Sequence, residues 1–335
     1  MRGLTRLTSV TLWAALVPSG LAAQQAAQHA ASHLAWRDTT HHRVGYVTVA
    51  AGVRLHYLDF GGTGSPVVLL AGLGNTAHAF DDFAPRLTDR HRVIALTRRG
   101  FGESSHPSGG YDTPRLVEDI RVALDSLHLR RVTLIGHSIA GEEMTRFAAT
   151  YPERVDKLVY LDAAYDRVAA ESLLAAAIPD APDLPAPPVP TARDTATPAG
   201  YVQFVHRTRG VNIPESDIRV RYRYDGWNEE ITPAYLAITP EHPDYQDVRA
   251  PALAIYAVTD SVFQTEPWQR ADTAHAAALQ AVLDASERVM SELRAQFKRE
   301  VAHSQVLEIH GAHHWIFVSH RDQVLAAVRR FLDGR

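Results

Sequence analysis

Ser138 is placed where a serine can do covalent chemistry. It lies in the run Gly136, His137, Ser138, Ile139, Ala140, Gly141. A serine hydroxyl is a poor nucleophile near neutral pH. It needs a base within hydrogen-bond reach, and that base needs a carboxylate to orient it. What precedes and follows the run says how Ser138 would be presented. Residues 132–135 are apolar or β-branched and read as a buried strand. Residues 142–151 read as a helix stopped by Pro152. A strand that turns abruptly into a helix lifts the turn residue out of the sheet. Such a turn is crowded, and Gly136, Ala140 and Gly141 supply small residues on both sides of it. The first N–H groups of the following helix point at the same spot, where developing negative charge would be stabilised.

The rest of the chain supplies elements able to carry partners for Ser138. Residues 44–50 and 53–60 read as a hairpin turning at Ala51 and Gly52. The glycines of 61–65 are not followed by a Gly-Lys-Ser/Thr run, so they read as a connector. Residues 66–71 form a buried strand leading into Gly72, Leu73, Gly74 and Asn75, a loop whose backbone can approach a ligand. A short helix is expected over 80–87, a strand over 92–97 and an amphipathic helix over 113–127, with Pro114 in its first turn. The strand at 155–162 ends in Asp162. The strand at 251–258 leads to Asp260. The last strand, 305–309, leads to His310, Gly311, Ala312, His313 and His314, and a helix over 322–332 closes the chain. A helical region at 267–301, read as one helix or two, carries Leu279, Val282, Leu283, Val289, Met290, Leu293 and Phe297 at helical spacing, which marks core contact. Strands alternating with helices point to a mainly parallel, doubly wound α/β sheet with its functional loops at the carboxyl ends of the strands.

The strand, Gly-x-Ser-x-Ala-Gly turn and helix resemble the nucleophile elbow of the α/β-hydrolase superfamily, with Ala140 where the usual pattern has Gly. Residues 98–104 resemble that superfamily's Asp-x-Arg-Gly-x-Gly-x-Ser loop, with Thr97 in place of the Asp. Arg98 and Arg99 are given no chemistry. The resemblance spans residues 44–333 and implies a triad in the order Ser, acid, His. Ser138, Asp260 and His314 meet that order. Asp162 is the alternative acid, one strand earlier, and His313 substitutes for His314 if the register is off by one. The implied oxyanion donors are the backbone N–H groups of Ile139 and Leu73. Ala71-Gly72 stands where the family usually has His-Gly, so the support given by that His is missing. Glu142 and Glu143 read as partners of the helix dipole.

The break in the pattern over 164–249 falls after the sixth predicted core strand and reads as a cap or lid. Helices are expected there at 171–178, 200–209 and 215–224, with a Pro-rich connector at 179–198. Tyr201, Phe204, Tyr222, Tyr224, Trp227 and Tyr235 are candidate pocket walls or cap packing residues. The domain reading is then 1–23 signal peptide, 24–42 poorly ordered lead, 43–163 and 250–335 hydrolase core. Arg2 and Arg6, an apolar run at 7–17 and small residues at 18–23 carry the signal-peptide reading, and with it a secreted or periplasmic location. An uncleaved interfacial anchor is the alternative.

The resemblance implies a serine hydrolase acting on a small, fairly apolar ester-like substrate, with no metal or organic cofactor. Lactonase, carbon–carbon bond hydrolase and haloperoxidase-like chemistry share the triad. A non-catalytic small-ligand binder on the same fold is the alternative of another class. Ser138 departs from the Asp nucleophile of epoxide hydrolases and haloalkane dehalogenases. With 34 basic and 38 acidic residues the net charge is −4, so no basic field for nucleic acid exists. The 335 residues contain no cysteine, which excludes disulfides and thiolate sites. No stretch is long enough to span a membrane, and with no heptad pattern a monomer is the default.

Overall fold

The computed structural model describes residues 38–179, 182–223, 231–238 and 241–334. The signal-peptide reading of 1–23 and most of the lead therefore lie outside the described residues. Residues 38–42, at the end of that lead, are placed against the core, with Asp38 3.3 Å from His78.

Eight strands make one sheet: β1 (Arg43–Ala50), β2 (Val53–Gly61), β3 (Ser65–Leu70), β4 (His91–Leu96), β5 (Val132–His137), β6 (Val155–Leu161), β7 (Ala252–Val258) and β8 (Ser304–His310). They lie side by side in the order β1-β2-β4-β3-β5-β6-β7-β8. The β1–β2 and β2–β4 pairs are antiparallel and all the others are parallel. The period-two alternation of the strands sorts their side chains to two faces. Val68, Leu70, Leu134, Leu158 and Tyr160 face one apolar cluster, together with residues of α1 (Thr113–Ser126), α2 (Ala140–Thr150) and the later helix α8 (Ala276–Glu300). Val67, Leu69, Ile135, Val159 and Leu161 face the other, with the closing helix α10 (Arg321–Leu332). Both faces are covered, so the central strands are apolar throughout rather than alternating, as parallel sheets require.

The insertion carries α3 (Arg167–Ala177), α4 (Pro198–Arg209), α5 (Glu215–Arg223) and α6 (Ile231–Ile238). Of its aromatic candidates, Tyr201 and Phe204 pack with Val205, Val211, Ile213 and Ile218 within the cap. Trp227 and Tyr224 lie outside the described residues, as does the side chain of Tyr222. The helical region after β7 is two helices, α7 (Pro267–Ala271) and α8, and a short α9 (Ile316–Ser319) precedes α10. The helix expected at 80–87 is instead two 3-10 turns, Ala77–Phe80 and Ala84–Leu87. Pro85, lacking an N–H, cannot sit inside a continuous helix there.

Candidate active site

β5 ends at His137, and α2 begins at Ala140. Ser138 between them has φ +56°, a left-handed conformation that costs a non-glycine residue about 1–2 kcal/mol. Its N–H donates to Leu161 O at 3.2 Å, which ties the turn to the end of β6. The small residues around it are sterically required. A Cβ on Gly136 would lie 2.1 Å from Met144 Sδ, and one on Gly141 would lie 1.9 Å from Ala163 O.

Three side chains meet at the carboxyl ends of β5, β6 and β8. Ser138 Oγ donates to His314 Nε2 at 2.9 Å, and His314 Nδ1–H donates to Asp162 Oδ2 at 2.6 Å. Asp162 is itself held firmly. It follows β6 with φ +50°, and its N–H donates to Ile255 O at 2.7 Å. Its Oδ1 accepts the Ala257 N–H at 3.1 Å and the Tyr165 hydroxyl at 2.5 Å. Burial, together with the Asp162 charge, pushes the Tyr165 phenol well above its usual range, so it stays a donor.

Asp260 does not join this constellation. Its Oδ2 accepts from His310 Nδ1 at 2.8 Å, on a surface where both side chains are about half exposed. Asp162, after the strand adjacent to β5, turns its carboxylate to His314, whereas Asp260, after β7, turns to His310. The acid at His314 is thus Asp162, and the expectation of Asp260 is corrected. His313 is also elsewhere: its Nε2 lies 3.1 Å from Glu266 Oε1, and its ring stacks on Trp315. Burial alone would raise Glu266, but His313, Arg209 and Trp268 outweigh it and hold its carboxyl below the usual range.

His137 fixes the loop that carries His314. Its Nε2–H donates to His314 O at 3.0 Å. Complete burial, reinforced by the neighbouring His314, lowers its pKa far below the ordinary histidine range and keeps the ring neutral.

The two expected donor groups flank the serine. Among the described residues, neither the Leu73 nor the Ile139 N–H has a hydrogen-bond acceptor. A Cβ at Gly72 would lie 3.3 Å from Ser138 Cβ and 2.6 Å from His137 Nδ1, so the Gly72–Leu73 peptide runs directly beside the nucleophile. Arg98 supports this loop from the other side. It donates to Ala71 O at 3.0 Å and to Gly72 O at 3.5 Å, and its Nε donates to Glu143. In a trans peptide the carbonyl and N–H point oppositely. A guanidinium holding Gly72 O therefore turns the Leu73 N–H away from itself. Arg98 and Glu143, given no role or only a dipole role from sequence, supply the support that the missing loop histidine would give. The signal was the burial of a charged pair, which no local pattern announces. Burial raises the Glu143 pKa, and Arg98 opposes the shift.

The insertion closes over this loop. Asp217 of α5, fully buried, accepts from Asn75 Nδ2 at 2.9 Å, Thr76 N at 2.8 Å and Thr76 Oγ1 at 2.7 Å. Ala234 and Ile238 of α6 pack with Phe101, Ile139, Leu73 and Tyr235 in one apolar cluster. Ile139, the residue after Ser138, and Leu73 thus lie in an apolar cluster shared with the cap.

Comparison with known proteins agrees with this fold. The family model for the alpha/beta hydrolase fold matches residues 65–321. The chain belongs to that family. A non-heme chloroperoxidase of Streptomyces lividans is 37% identical over 123 residues, 36% of this chain and 45% of that protein. Epoxide hydrolase 4 of Mus musculus is 33% identical over 133 residues, 37% of this chain and 35% of that protein. The chain spans less than half the length of the curated relatives it matches. The solved structure of a meta-cleavage product hydrolase from Pseudomonas fluorescens IP01 superposes with a TM-score of 0.57 at 22% identity, covering 87% of this chain and 98% of that one. The chain has the alpha/beta hydrolase fold, with the sheet and helices described above. No helix among the described residues is long and apolar enough to cross a membrane.

Proposed function

We propose that the protein is a serine hydrolase that cleaves an ester or related acyl bond of a small, fairly apolar substrate. The observation that carries the reading is the continuous Ser138–His314–Asp162 hydrogen-bond chain, 2.9 Å and 2.6 Å long in its two links. His314 Nε2 takes the Ser138 proton as Oγ attacks the acyl carbon. The carbonyl oxygen becomes an oxyanion received by the Leu73 and Ile139 N–H groups. Asp162 steadies the imidazolium. His314 then returns the proton to the departing alcohol oxygen, leaving an acyl-serine. Water, deprotonated by the same nitrogen, releases the acid and restores the hydroxyl.

A serine nucleophile also limits the chemistry. Opening an epoxide with Ser138 would form an ether that water cannot readily cleave, so turnover would stop. A carboxylate nucleophile gives a hydrolysable ester instead. The apolar cluster of Leu73, Phe101, Ile139, Ala234 and Ile238 supports an apolar acyl group. Residues 1–23, read as a signal peptide, make export part of the proposal.

A p-nitrophenyl ester chain-length series with the parent protein and Ser138→Ala tests the reading. Release by the parent and none by the variant supports it, and the preferred length sizes the acyl pocket. Activity retained in Ser138→Ala overturns the elbow assignment. Tight ligand binding by the parent without turnover favours the binding-protein alternative.

A further inference from the structure

A second cluster of reactive side chains lies behind the Leu73 loop. It joins Asp38 and His42, from the segment before β1, to His78 and Asp81, from the 3-10 turn that follows the loop. His78 Nδ1 lies 2.9 Å from Asp81 Oδ2 and 3.3 Å from Asp38 Oδ2. His42 Nε2 lies 3.7 Å from Asp38 Oδ2, and His42 Nδ1 lies 4.0 Å from Asp81 Oδ1. One donor atom from each of Asp38, His42 and His78 falls within 4.8 Å of the others.

Two features separate this cluster from an ordinary ion pair. The first is its unsatisfied atoms. The His42 and Asp81 side chains are only 6% and 3% exposed, yet among the described residues His42 Nδ1, Asp81 Oδ1 and Asp38 Oδ2 have no hydrogen-bond partner. Leaving a buried polar atom unpaired costs about 1–3 kcal/mol. The second is charge. Two carboxylates face two imidazoles, and the surroundings call for positive charge. The four side chains stand within ion-pair distance of one another. A divalent cation with two neutral imidazoles and two carboxylates has net charge zero.

We propose that Asp38, His42 and His78 bind a divalent cation of the zinc type, with Asp81 beside them as the second negative charge. Imidazole nitrogen and carboxylate oxygen are the ligand types such an ion takes, at ~2.0–2.2 Å. Tetrahedral ligands at that distance lie roughly 3.3 Å apart. Rotations of the side chains draw the donors in from the 4.8 Å limit. The ion ties three parts of the molecule together: the segment before β1, the turn after the Leu73 loop and, through the Ser216 hydroxyl on Asp81, the cap. It is a structural tie and takes no part in the acyl chemistry, so Ser138→Ala would bind it unchanged.

The test uses the full chain stripped with a chelator and then titrated with Zn2+ against a chromophoric competitor, with melting followed in parallel. The chain has 18 histidines, so the assignment rests on variants. The expected result is one tight Zn2+ per chain and a raised melting temperature. Asp38→Asn and His42→Gln should each weaken binding at least about tenfold, while the exposed control His303→Gln retains it. The absence of stoichiometric binding by the parent, or equal binding by Asp38→Asn and His42→Gln, would overturn the proposal and leave an imidazolium–carboxylate cluster only. Should either variant fail to fold, Co2+ in the parent decides. Intense visible d–d bands support a tetrahedral N/O site, and the weak bands of an octahedral ion contradict it.

Discussion

Replacing Asp162 by Asn is the sharpest perturbation of the site. The substitution keeps shape and hydrogen-bonding capacity, and the surroundings dictate how the amide must sit. Oδ1 faces two donors, the Ala257 N–H at 3.1 Å and the Tyr165 hydroxyl at 2.5 Å. The amide oxygen must therefore take that side, since an NH2 there would oppose the Ala257 N–H. The NH2 is left facing His314 Nδ1, where the carboxylate oxygen stood 2.6 Å away. Nδ1 must then accept and Nε2 must carry the proton. A protonated Nε2 cannot take the proton of Ser138, 2.9 Å from it. In chymotrypsin-like enzymes the same wrong-tautomer change lowers kcat about 10⁴-fold. By this geometry Asp162→Asn should do likewise, about 5.4 kcal/mol at 1.36 kcal/mol per decade. Asp260→Asn should change kcat less than about twofold, because the Asp260 side chain pairs with the exposed His310 and not with His314. The assay is steady-state ester hydrolysis by both variants, with melting temperature as the folding control. A folded Asp162→Asn enzyme with near-parental kcat, or a larger loss in Asp260→Asn, would refute the tautomer argument.

Three further outcomes follow from the surroundings of the site. Removing Arg98 and Glu143 together, as Arg98→Met with Glu143→Gln, leaves no orphaned charge but takes the guanidinium from the Ala71 and Gly72 carbonyls, leaving Gly72 O held only by the Asn75 N–H among the described residues. Steady-state kinetics should show kcat down roughly tenfold with little change in KM, less than the 10²–10³ of losing an oxyanion donor outright. Asp217→Asn places an amide NH2 against donors from Asn75, Thr76 or Arg221. It should cost about 3 kcal/mol in denaturant unfolding and loosen the cap. Glu142 is raised from 4.5 to about 7, first by burial and further by Asp166 and Glu143, against the opposing pull of Arg167. Because its folded pKa is the higher, the folded state holds the extra proton between pH 4.5 and 7. Stability from this group is then greatest below pH 4.5 and falls by about 3 kcal/mol as pH rises through 7. The stability difference between parent and Glu142→Gln should shift by that amount over the window, and a pH-independent difference would contradict it.

The elbow was legible because its constraints are local. Gly136, Ser138 and Gly141 answer steric demands set within a few residues, and the flanking strand and helix carry their own periodicities. His314 was legible through its place between the last strand and the last helices. The acid was harder. Asp162 and Asp260 both follow core strands, and the linear chain does not say which of the two carboxylates turns toward His314. Arg98 and Glu143 are 45 residues apart, so their joint hold on the Leu73 loop exists only after the chain folds. The same is true of Asp217, 142 residues from Asn75. Asp38 and His42 were read as part of a loose lead because a short polar segment has no periodicity. Their burial depends on His78 and Asp81 across the fold.

The central claim is that Ser138 forms a covalent acyl intermediate. The most direct measurement is intact-protein and peptide mass spectrometry after treatment with a fluorophosphonate. That reagent traps a serine only where a base removes its proton and a donor pair receives the developing charge. One adduct per chain is expected on the peptide holding Ser138, lost in Ser138→Ala and slowed in Asp162→Asn but not in Asp260→Asn. A parent chain that stays unlabelled, or an adduct on another residue, would contradict it.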